Sequence, residues 1–147
     1  MNSRFSIAVH ILTLLASTPE ERLTSEWIAA SVGTNPVVIR RQLALLRQAN
    51  LVESRAARGG GWALTRPPRD IRLSEVKAAL GAEAAFRMHK NEPDSACMVG
   101  QNVRAALEDV YQKAEQAVTE SLSRRTIQDL LTETRQIAAQ PTTPPTC

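Results

Sequence analysis

Apolar residues recur at helical spacing through the first third of the chain. In segment 3–17 they fall on one side of a predicted helix, at Ala8, Ile11, Leu12 and Leu15. Segment 25–32 is a second, shorter candidate helix, and its expected core residues are Trp27, Ile28 and Val32. Thr24 suits its N-cap and Gly33 suits its end, because a hydroxyl satisfies first-turn amides and glycine readily adopts left-handed backbone angles.

A third helix is predicted over residues 36–49, after a short link at residues 33–35. Asn35 can cap this helix, and Pro36 fits its first position. Its inward stripe consists of Ile39, Leu43 and Leu46. Two short helices joined by a tight turn that contains glycine form a helix-turn-helix, and the second helix of such a pair enters the major groove of DNA.

The next segment changes to the alternating period of strands. Residues 51–55 and 62–66 are predicted strands, and two prolines end the second one. Between them lie Arg58 and the glycines at 59–61, which permit positive φ angles and a close approach of the backbone. A basic hairpin directly after a helix-turn-helix is a wing. Arg58 at its tip is expected to enter a minor groove.

The second half of the chain predicts three more helices. Ser74 can cap a short one that ends at Gly81, and Thr126 can cap the last one. Between them, residues 101–122 form a long helix with an apolar stripe at Val103, Leu107, Val110, Ala114, Val118 and Leu122. The stripe either packs on its own domain or forms a dimer interface. We prefer the interface, because a single helix-turn-helix contacts too few bases to be selective.

The predicted fold class is mainly α with a small β-hairpin wing, a winged helix-turn-helix domain followed by a long dimerisation helix. The winged domain covers 1–80 and a loop with Cys97 covers 81–100. The long helix and the C-terminal helix cover 101–139, and the Pro- and Thr-rich tail over 140–147 is expected to be disordered.

Composition agrees with a small globular DNA-binding protein. The 147 residues are 43% hydrophobic and 22% charged, and no apolar run approaches the roughly 20 residues of a membrane span. Two cysteines, Cys97 and Cys147, make no disulfide framework and favour the cytoplasm. The net charge is only +3, but residues 35–72 hold eight arginines against two acidic residues. Arginine suits phosphates and guanine edges, although a solvated basic face is the simpler alternative.

The candidate DNA-binding residues lie in the third predicted helix and the wing. They are Asn35, Val37, Val38, Arg40, Arg41, Arg47, Arg55, Arg58, Gly59 and Gly60. The first turn of the helix is expected to read bases, with Arg40 on a guanine, while Arg55 and Arg58 contact the backbone or a minor groove. The expected partner is double-stranded DNA with an imperfect palindrome, bound by a homodimer, with no cofactor and no metal.

Other classes of function fit the sequence less well. An enzyme is excluded by the lack of a Ser/His/Asp set, of a phosphate-binding loop after a strand and of a metal-spaced His/Cys cluster. The stronger alternative is a winged-helix adaptor that binds a protein and no DNA. Salt dependence separates the two, because counterion release makes DNA binding weaken steeply with salt. A small-molecule or oxidant effector would change only the trigger.

These motifs together resemble the Rrf-two family of bacterial winged-helix transcription regulators, over roughly residues 3–133. The resemblance lies in FSIAVHILTLLA, IAASVGTNPVVIRRQLALLRQANLVESR, GGGWALTRPP, IRLSEVKAAL and TIQDLL. GTNPVVIRR and HKNEPDSACMVG look closest to a YwnA-like branch of that family. The resemblance implies a homodimer with crossed long helices and two winged heads. It also implies repression, or less often activation, through operator binding.

The chain departs from that family at the wing and at its cysteines. The family wing often reads Arg-Gly-Pro-Gly-Gly-Gly before an aromatic residue, whereas residues 56–62 read AARGGGW, so the basic residue is moved. Iron–sulfur members carry three closely spaced cysteines before the long helix, but here only Cys97 lies there, with His89 nearby and His10 far away. A cluster normally needs four protein ligands, so none is expected unless the second subunit supplies some.

Cys97 itself has two interpretations. The start of a helix stabilises a thiolate, so Cys97 could sense an oxidant through sulfenic acid or an intersubunit disulfide. The simpler interpretation is an inert loop residue, and the sequence does not separate the two.

Overall fold

The computed structural model describes residues 3–56, 58–81, 86–88, 90–92 and 96–140. Predictions for His89, Cys147 and the tail from residue 141 therefore lie outside the described residues. In chain order, the described elements are α1 (Ser3–Ser17), α2 (Ser25–Val32), α3 (Pro36–Gln48), β1 (Val52–Arg55), β2 (Gly61–Leu64), a 3-10 turn (Pro68–Asp70), α4 (Leu73–Ala79), α5 (Met98–Ser123) and α6 (Ile127–Ala139).

The helix-turn-helix forms as the capping residues predict. The hydroxyl of Thr24 accepts a hydrogen bond from the Trp27 amide at 3.2 Å. Gly33 closes α2 at φ 74°, in the left-handed region that glycine tolerates. The side-chain oxygen of Asn35 accepts from the Val37 amide at 2.8 Å, so α3 begins immediately after the turn.

The prediction that Ser74 caps α4 is wrong, because that helix begins at Leu73. The backbone amide of Leu73 donates to the carbonyl of Arg125 at 2.9 Å. The amide of Arg72 donates to the Glu75 carboxylate at the same distance. The start of α4 is therefore fixed partly by a contact with a distant segment, which local capping preferences do not reveal.

One aliphatic core lies beneath α1, α2, α3, the hairpin, α4 and α6. Its fully enclosed side chains include Ile11, Leu12, Ile28, Ile39, Leu43, Leu46, Ile71, Val76 and Ile127. Trp27 was predicted to belong to this core, but it is 52% exposed. The inward positions of α2 are Ser25, Ile28 and Ala29, which follow the helical period and leave Trp27 on another side.

Strand β2 of the wing forms backbone hydrogen bonds on both of its edges. Strands β1 and β2 are antiparallel, with Val52 opposite Leu64 and Arg55 opposite Gly61. On its other side, Trp62 exchanges two backbone hydrogen bonds with Leu23, of 3.1 and 2.8 Å. A β-carbon at Gly61 would lie 2.8 Å from the carbonyl oxygen of Leu23, so this close approach requires glycine.

Helices α5 and α6 differ in how they meet the rest of the chain. Helix α5 has 26 residues, none of them buried, and its Glu115 forms an ion pair of 2.9 Å with Lys77 of α4. Helix α6 turns back onto α1 and buries Ile127 and Leu131. Among the described helices, none is long and apolar enough to cross a membrane.

Candidate nucleic-acid interface

Helix α3 separates its residues into a core side and a solvent side. Ile39, Leu43 and Leu46 are 0% exposed. The opposite side carries exposed residues at helical spacing, namely Val37, Arg40, Arg41 and Arg47. Because the apolar side is anchored in the core, the basic side is held outward in a fixed orientation.

The first turn of α3 contributes a cap and two valines. Val37 is 65% exposed and Val38 is 37% exposed, so both are accessible for contact with thymine methyl groups. The side-chain oxygen of Asn35 is engaged by the Val37 amide. Asn35 therefore fixes the start of the helix, and its side-chain amino group retains two donors.

Beside this turn lies a cleft of about 220 Å³ between α1 and α3, lined by Arg4, Val37, Val38, Arg41 and Gln42. Gln42 is 2% exposed and its side-chain oxygen has no hydrogen-bond partner in the described structure. Neither Arg4 nor Gln42 is among the residues predicted from the sequence to bind DNA. The sequence did contain a signal for Gln42, because it lies at helical spacing from Ile39 and Leu46, on the side of α3 that faces the core.

An ion pair links α3 to α2 on the same surface. Glu26 accepts a hydrogen bond from the Arg40 guanidinium, and the two side chains remain 63% and 54% exposed. The pKa of Glu26 lies below its usual 4.5, first because its carboxylate accepts a backbone hydrogen bond at the start of α2 and then because of Arg40. Glu26 lies in the first turn of α2, and its contact with Arg40 is not evident from the local sequence.

The wing joins the same surface through its base. The guanidinium carbon of Arg47 lies 6.0 Å from the ring centroid of Trp62, within the range of a cation–π contact. Arg55 is exposed at the end of β1, and Arg58 and Gly59 are exposed in the turn, where Gly59 has φ 75°. Gly60, which follows in that turn, is half-buried. The wing arginines thus extend from a base that packs on α3.

Not every arginine of the basic segment, residues 35–72, is available to a ligand. Arg66 binds Glu75 at 2.6 Å and the Asp70 carbonyl at 3.1 Å. Arg72 donates to the carbonyl of Ser123 at 3.3 Å. These two arginines connect the segment after the wing to α4 and to the end of α5. The net charge of residues 35–72 therefore overstates the number of arginines that can bind a ligand.

Two further features lie near the start and middle of α5. Cys97 is exposed and caps α5, with its Sγ accepting from the Gly100 amide at 3.4 Å. Phe86 stacks on Tyr111 with ring centroids 5.3 Å apart, beside an open cavity of about 470 Å³ that also includes Met88.

Comparison with known proteins identifies the family. Residues 1–133 match the family model Rrf2, described as an iron-dependent transcriptional regulator. The chain is 38% identical over 132 residues to YwnA of Bacillus subtilis (strain 168), a protein named as an HTH-type transcriptional regulator. That alignment covers 89% of this chain and 96% of YwnA.

Solved structures share the same fold. A crystal structure of a protein described as DNA-binding superposes with a TM-score of 0.71 at 35% identity, covering 87% of this chain and 98% of that one. The IscR structure from T. potens superposes with a TM-score of 0.74 at 22% identity, covering 95% and 91%. The winged-helix fold predicted from the sequence is confirmed.

The described residues provide no site for the iron in the family description. Within the described ranges, no group of three or more His, Cys, Asp and Glu side chains could hold a metal ion. Cys97 is exposed and its Sγ is engaged in capping α5. We therefore derive no functional step through iron or a cluster.

Proposed function

Since the chain belongs to the Rrf2 family of DNA-binding transcription regulators, we propose that it occupies a palindromic operator as a homodimer in the cytoplasm and represses transcription there. The single observation that carries this proposal is the outward side of α3, with Val37, Arg40, Arg41 and Arg47 exposed above a fully buried stripe. An anchored basic helix of this kind suits the major groove. Bound there, the protein would exclude other proteins from the same DNA.

Each part of the surface has its own role in this proposal. The first half of α3 reads bases, with Arg40 on a guanine and the valines on thymine methyl groups. Arg47 binds phosphate near the base of the wing. Arg55, Arg58, Gly59 and Gly60 approach the backbone or the minor groove, where Arg58 benefits from the negative potential of narrow A·T tracts.

Helix α5 is the proposed dimer interface. It has no buried residue, yet Val103, Val110 and Val118 are each at least 38% exposed along one side. An apolar stripe left in water favours association with a second copy. Two heads held by paired α5 helices would match two half-sites separated by an integral number of helical turns.

The test is selection of bound fragments from random DNA by the full-length protein, followed by titration of the recovered sequence at increasing salt. We expect a palindromic site and a steep loss of affinity with salt, because arginines displace counterions from phosphates. A protein that binds no DNA at low salt would contradict the proposal and favour the adaptor function. Selection of single half-sites by a monomer would contradict the homodimer.

The signal that makes the protein release its operator could act at either of two sites. Cys97 is exposed and accessible to oxidants, and the Phe86–Tyr111 cavity can hold a small molecule. Repeating the selection with and without peroxide separates an oxidant response from a constitutive regulator. Loss of binding with peroxide would support the first location.

A further inference from the structure

The ion pair between Glu26 and Arg40 crosses from one helix of the helix-turn-helix to the other. The two residues are 14 positions apart in the chain, one in the first turn of α2 and one in the first half of α3. Both side chains are more than half exposed. The pair therefore lies on the surface assigned to DNA, outside the core.

The carboxylate has a local role at the start of α2, where it accepts a backbone hydrogen bond, but that role does not require the ion pair with Arg40. Exposed ion pairs of this kind contribute about 0–1 kcal/mol, because water and salt screen them. A negative charge on a surface that faces phosphates weakens DNA binding at every sequence. The carboxylate therefore lowers affinity for DNA of any sequence, whatever it adds to the stability of α2.

The pair does restrict the arginine side chain. A free arginine carries about 2 kcal/mol of rotamer entropy, and its guanidinium presents five N–H donors in one plane. Glu26 engages one terminal nitrogen of Arg40, which leaves the other donors of the plane unoccupied by this partner. An arginine held from one side can offer its remaining edge in a single orientation.

We propose that Glu26 is a positioning residue that determines sequence specificity, because it holds the Arg40 guanidinium toward a guanine in the major groove and away from phosphates. This inference rests on the proposed function, in which α3 enters that groove. Guanine is the base whose N7 and O6 accept two hydrogen bonds from one arginine. Phosphate, the competing partner, is present at every step of the duplex and carries no sequence information.

The decisive experiment is Glu26→Gln, because the two effects of this change have opposite signs. Removal of the negative charge should raise affinity for random DNA by about threefold. Release of Arg40 should lower discrimination for its guanine by about tenfold, a part of the range for a bidentate contact. The probes are the selected operator, random duplex, and operators in which each guanine in turn is replaced by 7-deazaguanine, which lacks the N7 acceptor.

Glu53→Gln is the matched control. Glu53 of β1 forms an ion pair of 2.6 Å with Arg22, a residue outside α3, and its substitution removes the same charge from the same domain. We expect Glu53→Gln to leave discrimination between guanine and 7-deazaguanine unchanged. In an Arg40→Ala background, Glu26→Gln should also leave it unchanged, because the residue that Glu26 positions is then absent. Thermal unfolding of all variants verifies that the heads remain folded.

The possible results separate this inference from the proposed function. Reduced discrimination in Glu26→Gln together with stronger binding to random DNA supports the positioning role. Unchanged discrimination, or an equal loss on operator and random DNA, overturns it while the regulator function stands. Absence of operator selection by the native protein overturns the proposed function, and this inference with it.

Discussion

Helices α3 and α5 both present long sides to solvent, but they are exposed for different physical reasons. Helix α3 buries Ile39, Leu43 and Leu46 completely, and its outward side is basic. Helix α5 buries no residue at all, and its outward side includes Val103 and Val110. The first is a completed helix that carries a polar binding surface. The second leaves apolar area in water, so its own chain does not complete its packing.

The difference teaches that exposure alone does not identify a binding partner. A basic side over a full core indicates a polyanion, whose attraction is electrostatic and weakens with salt. An apolar side without a core indicates another apolar surface, whose attraction is hydrophobic and resists salt. The following predictions test the two helices by these separate criteria.

The largest effect is expected for Val110→Glu in α5. A carboxylate buried without a partner at a dimer interface should weaken dimerisation by about 1,000-fold or more. Operator affinity should fall with it, because two heads would no longer be linked. Sedimentation equilibrium measures the first quantity and gel-shift titration the second. Gln116→Glu, which adds the same charge on the side of α5 that lines the Phe86–Tyr111 cavity, should change neither. An unaltered dimer in Val110→Glu would show that the stripe is not the interface.

Gly61→Ala should have the next largest effect, on the surface that α3 and the wing share. The added β-carbon meets the Leu23 carbonyl oxygen at 2.8 Å, at φ 151°. We expect a loss of about 3 kcal/mol in the free energy of unfolding, measured in urea. Gly59→Ala is the comparison, because nothing lies within 4 Å of its new carbon. That variant should lose only about 1 kcal/mol, for its left-handed backbone. Equal losses would contradict the close packing of the wing base.

Comparison of Arg40→Ala with Arg58→Ala should distinguish a residue that reads bases from one that binds phosphate. Arg40→Ala should weaken operator binding by about 1–3 kcal/mol and random DNA much less. Arg58→Ala should weaken both similarly and reduce the salt slope by about one. Arg124→Ala, an exposed residue paired with Glu120 at the end of α5, serves as a control without effect. Parallel losses on both DNAs for Arg40→Ala would remove its role as a base reader.

Asp129→Asn tests the junction through which α5 connects to the winged head. The Asp129 carboxylate accepts a hydrogen bond of 2.7 Å from the Thr126 backbone amide, which holds its pKa below the usual 3.8. A depressed carboxyl pKa contributes stability above 3.8 that is lost as the pH falls through the lower folded value. The variant should be less stable near neutral pH and should converge with the native protein in acid. Urea unfolding across that pH range measures the difference, and a constant gap would contradict the assignment.

The smallest effect is expected for Cys97→Ser under reducing conditions. Serine is a strong N-cap, so it should preserve the start of α5 and change operator affinity by less than about twofold. Peroxide then separates the two interpretations of Cys97. A sensor predicts that oxidant releases DNA from the native protein but not from the variant. An inert residue predicts the same response in both.

Much of the fold could be predicted because its signals are local. Thr24, Asn35 and Thr126 cap the helices that they were expected to cap. Each cap uses residues only two or three positions away, so the sequence contains the whole interaction. Trp27 was misplaced because its residue type was given more weight than the helical period, which points Ile28 and Ala29 inward instead.

The parts that escaped prediction depend on contacts between distant segments. Ser74 has the chemistry of a cap, but α4 begins earlier because Leu73 bonds to Arg125. Glu26 reaches Arg40 only because α2 and α3 cross at that point. The DNA-binding residues themselves remain predictions, which the exposure and common orientation of the α3 residues support.

The pairing of Trp62 with Leu23 has a consequence for how the protein behaves at high concentration. An isolated hairpin exposes two rows of unsatisfied backbone groups, and such rows recruit strands from other molecules into aggregates. Here the backbone of Trp62 is already engaged on the side away from β1. The backbone of Leu23 thus covers this edge of β2, so strands of neighbouring molecules find few free backbone groups there to pair with.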